Sequence, residues 1–283
     1  MLPTLIIVFR EVLEAALIVG IVMAATKGLR YRSTWIAAGV GAGVAAASLV
    51  ATFAGAIAAA AEGMGQELFN AGVLFAAVVM LGWHNVWMGR HAREIVQEMG
   101  AVGKAVASGT RPLYALAIVV AVAVLREGSE VVLFLYGIAA GGSAGADAML
   151  AGGLLGLLSG VAAGAALYLG LLRIPVRHLF TVTSWMILLL AAGMAAQGAD
   201  FLTQAGFLPP LGEGLWDSSA ALPEHSILGQ ILHTFIGYAE RPSGVQLVFY
   251  VTTLALIGGL MRLAASKPDT GKGRGAKPLL SVP

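Results

Sequence analysis

Two charged pentapeptides of one pattern stand inside hydrophobic stretches of this chain: Arg10-Glu11-Val12-Leu13-Glu14 and Arg126-Glu127-Gly128-Ser129-Glu130. Each puts one cation and two carboxylates where lipid would surround an ordinary helix. An ionisable group at the centre of a membrane helix costs about 2.5–3.5 kcal/mol on insertion scales, so six unpaired groups would cost roughly 15–20 kcal/mol. A fold that keeps them must pair them with one another and bring them together. The pattern R-E-x-x-E, present twice, is the constraint on everything else.

The surroundings are those of a membrane protein. Of 283 residues, 58% are hydrophobic and 11% charged, against about 25% charged in ordinary soluble domains. The N-terminus lacks a basic stretch and its apolar run continues past any cleavage point, so it reads as a first spanning helix and not as a signal peptide. A net charge of +2 gives no nucleic-acid footprint. The absence of cysteine removes thiolate ligands and Fe–S clusters.

Stretches near 20 residues long predict seven spanning helices, at about 3–26, 35–60, 68–88, 113–139, 148–171, 179–199 and 245–264. The segment 226–240 is apolar on one side but short, and reads as an interfacial or re-entrant helix. The expected architecture is an all-α integral membrane fold with one transmembrane domain over 1–264, and a disordered cytoplasmic tail over 265–283. All 17 basic residues except Arg10, Arg126 and Arg241 fall on one side of this arrangement. The positive-inside rule then puts the N-terminus outside and the C-terminus inside.

The motifs lie in the first and fourth helices, three crossings apart. The two halves, about 1–90 and 112–200, are therefore expected to be a 3+3 inverted repeat, followed by an outer loop over 200–244 and the seventh helix. A second correspondence supports the repeat. The fifth helix carries Gly152, Gly156, Gly160 and Gly164, and the second carries Gly39, Gly43, Ala47, Ala51 and Gly55. Small residues four apart let helix backbones approach closely in lipid. Inverted repeats place a substrate site at their interface near the midplane.

On a helix, residues three and four apart share a face. Glu11 and Glu14 therefore point together, as do Glu127 and Glu130. Arg10 and Arg126 lie four residues before Glu14 and Glu130 and are expected to pair with them, which leaves Glu11 and Glu127 the freer ligands. Each motif carries a formal charge of −1. Four carboxylates without thiolate or imidazole suit a hard cation. Ferric iron is the hardest common candidate; ferrous iron, manganese, magnesium and calcium fit the same chemistry. An ion-pair network that only joins the two helices would need one carboxylate per motif, and leaves the second unexplained.

Other polar residues carry less. His84 and Asn85, beside Trp83 and Trp87 near the inner end of the third helix, read as structural ahead of an inner exit site, with the tryptophans as an interfacial belt. Glu62, Asp200, Asp217 and Glu224 are candidates for an acidic outer vestibule that concentrates cations. A haem protein would need axial ligands inside the spans. A di-iron carboxylate enzyme would need Glu-x-x-His pairs, and neither motif contains a histidine. No P-loop signature is present.

The paired motif in the first and fourth of seven helices resembles the oxidase-dependent iron transporter family. The likeness extends over nearly the whole chain, including the outer segment from Leu215 to Tyr250. It implies an iron permease, not an enzyme, of the plasma or bacterial inner membrane. Iron would be its substrate, ferric by preference, with ferrous iron, manganese or lead as alternatives, and no cofactor is called for. It implies metal binding at Glu11, Glu14, Glu127 and Glu130, supported by Arg10 and Arg126. Periplasmic or extracellular iron-binding or redox proteins are the implied partners, beside the lipid itself. Two departures stand out. Val12 occupies a position where the family commonly has Gly, and Ser129 one where it has Leu. The acidic outer-loop motif of fungal members is not reproduced at Asp217-Ser218-Ser219-Ala220.

The charge distribution makes the topology testable. A reporter fused after Pro283 is expected to read cytoplasmic and one inserted near Asp217 external; the reverse pattern would remove the inverted repeat along with the orientation.

Overall fold

The computed structural model describes residues 1–60, 65–142, 145–170, 176–212, 214–223 and 226–266. Their regular structure is helical: α1 (Leu2–Ala25), α2 (Arg32–Ala60), α3 (Gln66–Ala107), α4 (Tyr114–Ala140), α5 (Ala146–Tyr168), α6 (Val176–Gln204), α7 (Ile227–Ile236) and α8 (Gly244–Ser266). Prolines punctuate these helices without interrupting them. Pro3 sits in the first turn of α1, where its missing N–H is not needed. Pro112 precedes α4, and Pro223 precedes α7. The tail expected to be disordered lies, apart from its first two residues, outside the described residues.

Five helices, α2, α3, α5, α6 and α8, contain stretches long and apolar enough to cross a membrane. α1 and α4 have the length, at 24 and 27 residues, and carry the three motif charges each. The outer surface is apolar as well. Phe53 and Ile57 on α2, and Leu150, Leu154 and Leu158 on α5, are all at least 60% exposed. Such a surface is abnormal in water and is what a lipid-facing helix presents.

The small-residue stripes lie inward and decide which helices pair. α1 packs chiefly on α5, and α2 on α4. Gly152, Gly156, Gly160 and Gly164 are all buried. A Cβ at Gly156 would stand 2.7 Å from the Leu5 carbonyl oxygen, and one at Gly160 would stand 2.9 Å from that of Phe9. Likewise a Cβ at Gly39 would stand 2.6 Å from the Ala117 carbonyl oxygen and one at Gly43 2.8 Å from that of Ala121. In both pairs the contacts advance in the same chain direction, so each pair runs parallel. α1 thus lies against α5 and α4 against α2, while α3 packs on α6 and α1 on α4.

Val12, unusual in its motif, is explained by this packing. It faces Gly160 of α5, where a Cβ would stand 2.9 Å from Val12 Cβ. The corresponding motif residue of α4, Gly128, faces Ala47 of α2, and a Cβ there would stand 2.7 Å from that of Ala47. One interface places the larger side chain on the motif helix, the other on its neighbour.

One boundary differs from the sequence expectation. The third helix does not end near residue 88 in a basic loop; α3 runs on for 42 residues, about 63 Å at 1.5 Å per residue. The stretch after Met88 is polar, but polarity ends an apolar span and not a helix. No proline intervenes before Pro112, and Ala, Glu, Gln, Met and Lys are good helix formers. The helix stops at Ser108-Gly109, where Gly109 takes φ 76° and Ser108 N–H donates to the Lys104 carbonyl. Along the extension a Cβ at Gly103 would stand 2.6 Å from Ala25 Cβ, so this arm lies close against the end of α1.

The segment expected as a short interfacial helix is α7. Ser226 caps it, its hydroxyl accepting from Gly229 N–H at 3.0 Å. Gly237 ends it in the left-handed region, at φ 65°. It packs on α6 and α1.

If the Val12–Gly160 and Ala47–Gly128 contacts are equivalent, Gly128→Val should lower stability by about 1–3 kcal/mol through overpacking, and adding Ala47→Gly should restore most of it. Thermal unfolding of the detergent-solubilised variants measures this. A double variant no more stable than Gly128→Val would show that the two interfaces differ.

Candidate metal site

Both motifs face the interior, and α3 brings a third element between them. On α1, Arg10, Glu11 and Glu14 are buried at 1–3% exposure. Arg10 Nε lies 3.0 Å from Glu14 Oε1, the expected pair, and its Nη1 also reaches Glu11 Oε1 at 3.4 Å. On α4, Arg126 Nε lies 3.3 Å from Glu130 Oε1 and 3.6 Å from Glu127 Oε1. Each arginine therefore touches both carboxylates of its motif. The contacts to Glu11 and Glu127, the carboxylates expected to be the freer ligands, are the longer of the two in each motif.

The motifs are not equivalent. Arg10 is enclosed, whereas the Arg126 side chain is one-third exposed. Arg126 lies over the Trp87 ring, its guanidinium carbon 4.4 Å from the centroid. A cavity of about 470 Å³ opens here, lined by Val79, Met80, Trp83, His84, Trp87, Arg126 and Glu130. On another side, a void of about 30 Å³ lies beside α7 among Pro3, Ile138, Leu190, Met194, Gln197 and His233.

His84 is the residue that sequence reasoning ranked as structural ahead of a site role. It sits well inside α3, is 4% exposed, and stands between the motifs. Its Nδ1 pairs with Glu130 Oε2 of α4. Its Nε2 faces Glu14 Oε2 at 3.7 Å and Glu11 Oε2 at 3.9 Å, both on α1. Glu11, His84, Glu127 and Glu130 each offer a ligand atom within 4.8 Å of the others. The signal was present in the sequence, as the one histidine inside an apolar span, but ending the third helix at 88 put it at an edge. Its neighbour Asn85 does have the structural role expected: its side-chain amide donates to the Ser184 carbonyl at 2.9 Å and ties α3 to α6.

The cluster is short of hydrogen bonds. Among the described residues, Glu11 Oε2, Glu14 Oε2, both carboxylate oxygens of Glu127, Glu130 Oε2 and His84 Nε2 are buried without a hydrogen-bond partner. Native interiors rarely leave such groups unsatisfied without an ion, a water or a functional reason. Oxygens with one nitrogen, gathered at this spacing, are a donor set for a metal cation.

The outer candidates are not gathered into it. Asp200 lies on α6 and accepts from Gln204 at 2.8 Å. Asp217 lies in the loop after α6, where Arg241 Nη2 stands 3.0 Å from its carboxylate. The Ser219 hydroxyl, then Arg241, holds the Asp217 carboxyl well below the usual range, at about 2. Asp217 is therefore ionised at every physiological pH, but beside a cation. Glu62 and Glu224 lie outside the described residues.

The iron permease FTR1 family matches residues 1–266. A ferrous iron permease EfeU from Escherichia coli O157:H7 is 36% identical over 243 residues, covering 84% of this chain and 87% of that protein. One of the same name from Yersinia pestis is 34% identical over 259 residues, covering 89% and 90%. No solved structure matches the chain. With a family match over nearly all its length and an apolar helical bundle, the chain is a multi-pass membrane protein that belongs to the iron permease FTR1 family.

Proposed function

We propose that this permease moves iron inward across a bacterial inner membrane through the site formed where its two R-E-x-x-E motifs meet. The observation that carries this reading is the convergence of Glu11, Glu14, Glu127 and Glu130 around buried oxygens that lack hydrogen bonds. Intramembrane ionisable residues are costly enough that function is their default explanation. The seven-span, inverted-repeat reading, with the N-terminus outside, draws support from the reciprocal packing of α1 on α5 and α2 on α4. In that reading the cavity between α3 and α4 is a way out of the site, and the closely packed region around Pro3, Met194 and His233 is its outer closure.

We take the substrate to be ferrous iron. Two motifs of formal charge −1 sum to −2, which a divalent ion neutralises, and the relatives are named ferrous iron permeases. The ferric ion, favoured by an all-oxygen set, is the second reading; manganese and lead are the others. Iron-binding or redox proteins outside the membrane would deliver the ion to an outer surface that includes Asp200 and Asp217. Uptake of radioactive iron with ascorbate, compared with ferric citrate, distinguishes the oxidation states, and competition with manganese or lead tests the metal.

The roles within the motifs separate in one experiment. Glu11→Gln and Glu127→Gln each keep shape and remove a charge, and each should abolish iron uptake while leaving membrane abundance near normal. Normal uptake by both variants would make the glutamates structural and end the proposal. Arg10→Ala should reduce abundance more than Arg126→Ala. Removing one partner of a buried pair costs about 3–5 kcal/mol, and Arg10 is the enclosed one, whereas Arg126 is partly solvated or lipid-facing. Immunoblots of membranes alongside uptake measure both.

A further inference from the structure

Resting on the glutamate site just proposed, we infer that His84 is a nitrogen ligand of the transported ion, and that it sets the site toward divalent first-row metals over hard ions. His84 lies in neither motif, on a third helix, and nothing in the R-E-x-x-E pattern calls for it.

The argument is one of distances. His84 Nε2 lies 3.7 Å from Glu14 Oε2 and 3.9 Å from Glu11 Oε2. Those separations exceed the range of a hydrogen bond, about 2.7–3.2 Å. Yet Nε2 and both carboxylate oxygens are buried and, among the described residues, have no hydrogen-bond partner. First-row divalent metals bind imidazole nitrogen and carboxylate oxygen at about 2.0–2.2 Å, so two donors on one ion stand about 3–4 Å apart. The observed separations are wrong for a hydrogen bond and right for shared ligation.

The other ring nitrogen fits the same role. Nδ1 stands in ion-pair contact with Glu130 Oε2, and the second oxygen of Glu130 lies 3.3 Å from Arg126 Nε. A metal-bound histidine nearly always has its other nitrogen held by a carboxylate, carbonyl or water, which fixes the ring. Glu130 is the carboxylate placed for that role here, and Arg126 donates to its other oxygen at 3.3 Å. Glu127, with both oxygens unsatisfied, completes the donors from α4.

A nitrogen donor changes which metals the site prefers. Carboxylate oxygens alone suit magnesium, calcium and manganese, whereas imidazole suits iron, zinc and copper, with affinity rising from Mn²⁺ to Fe²⁺ and beyond. The imidazole should therefore widen the preference for Fe²⁺ over Mn²⁺, which oxygen ligands discriminate poorly.

The test uses the full-length protein, purified metal-free in detergent, with Mn²⁺ as a paramagnetic probe and Fe²⁺ as an anaerobic competitor. Pulsed electron paramagnetic resonance of bound Mn²⁺ should show coupling to a directly bound nitrogen, and ¹⁵N-labelled histidine should alter it. His84→Gln should abolish that coupling, lower Fe²⁺ affinity at least about tenfold, and lower Mn²⁺ affinity less, so that the ratio between them narrows. Mn²⁺ bound by the wild type without nitrogen coupling would overturn the inference even if His84→Gln failed to fold, and so would coupling that persists in a folded His84→Gln. Either result leaves the glutamate reading standing. That reading falls separately if Glu11→Gln and Glu127→Gln bind Mn²⁺ as tightly as the wild type.

Discussion

Buried carboxylates in a bilayer are the interaction on which the rest of this structure turns. Each guanidinium neutralises part of its own motif, but Arg10 and Arg126 together leave two negative charges uncompensated. These can stay in a low-dielectric interior only if something else supplies the opposing charge and the missing hydrogen bonds. The helices therefore cannot pack around this centre as tightly as apolar logic would allow. They must hold several oxygens close together and keep them accessible.

The glycine stripes meet that demand from outside. In lipid there is little hydrophobic drive to bring helices together, so close backbone approach has to provide the cohesion. Gly156 and Gly160 against α1, and Gly39 and Gly43 against α4, set the motif helices at distances that side chains would forbid. The cost of gathering charge at the centre is offset by van der Waals contact at the periphery. The large residues of α2 and α5 are correspondingly turned outward, toward the lipid.

Much of this was legible in the sequence, because it rests on short-range periodicity. Glu11 and Glu14, or Gly152 to Gly164, share a face by helix geometry alone, and Ser226 and Gly237 bracket α7 by local capping. What was not legible depends on contacts between distant segments. The two stripes announce close packing but not that α1 pairs with α5 and α2 with α4. The reach of each arginine to both carboxylates depends on side-chain conformation. His84 was misplaced because a change from apolar to polar residues marks the boundary of a solvent, and α3 crosses that boundary without ending. Val12 looked like a departure from pattern until Gly160 appeared opposite it.

The length of α3 has a mechanical consequence. A loop would isolate whatever happens at the polar end of this segment from the membrane interior. A continuous helix is a stiffer rod than a loop, and α3 runs unbroken for 42 residues. His84 stands near the middle of that rod, with Gly103 seated against Ala25 of α1 some 19 residues further on, or about 28 Å along the axis. Because the helix is continuous, a tilt of the polar arm would reach the imidazole between the two motifs as a displacement.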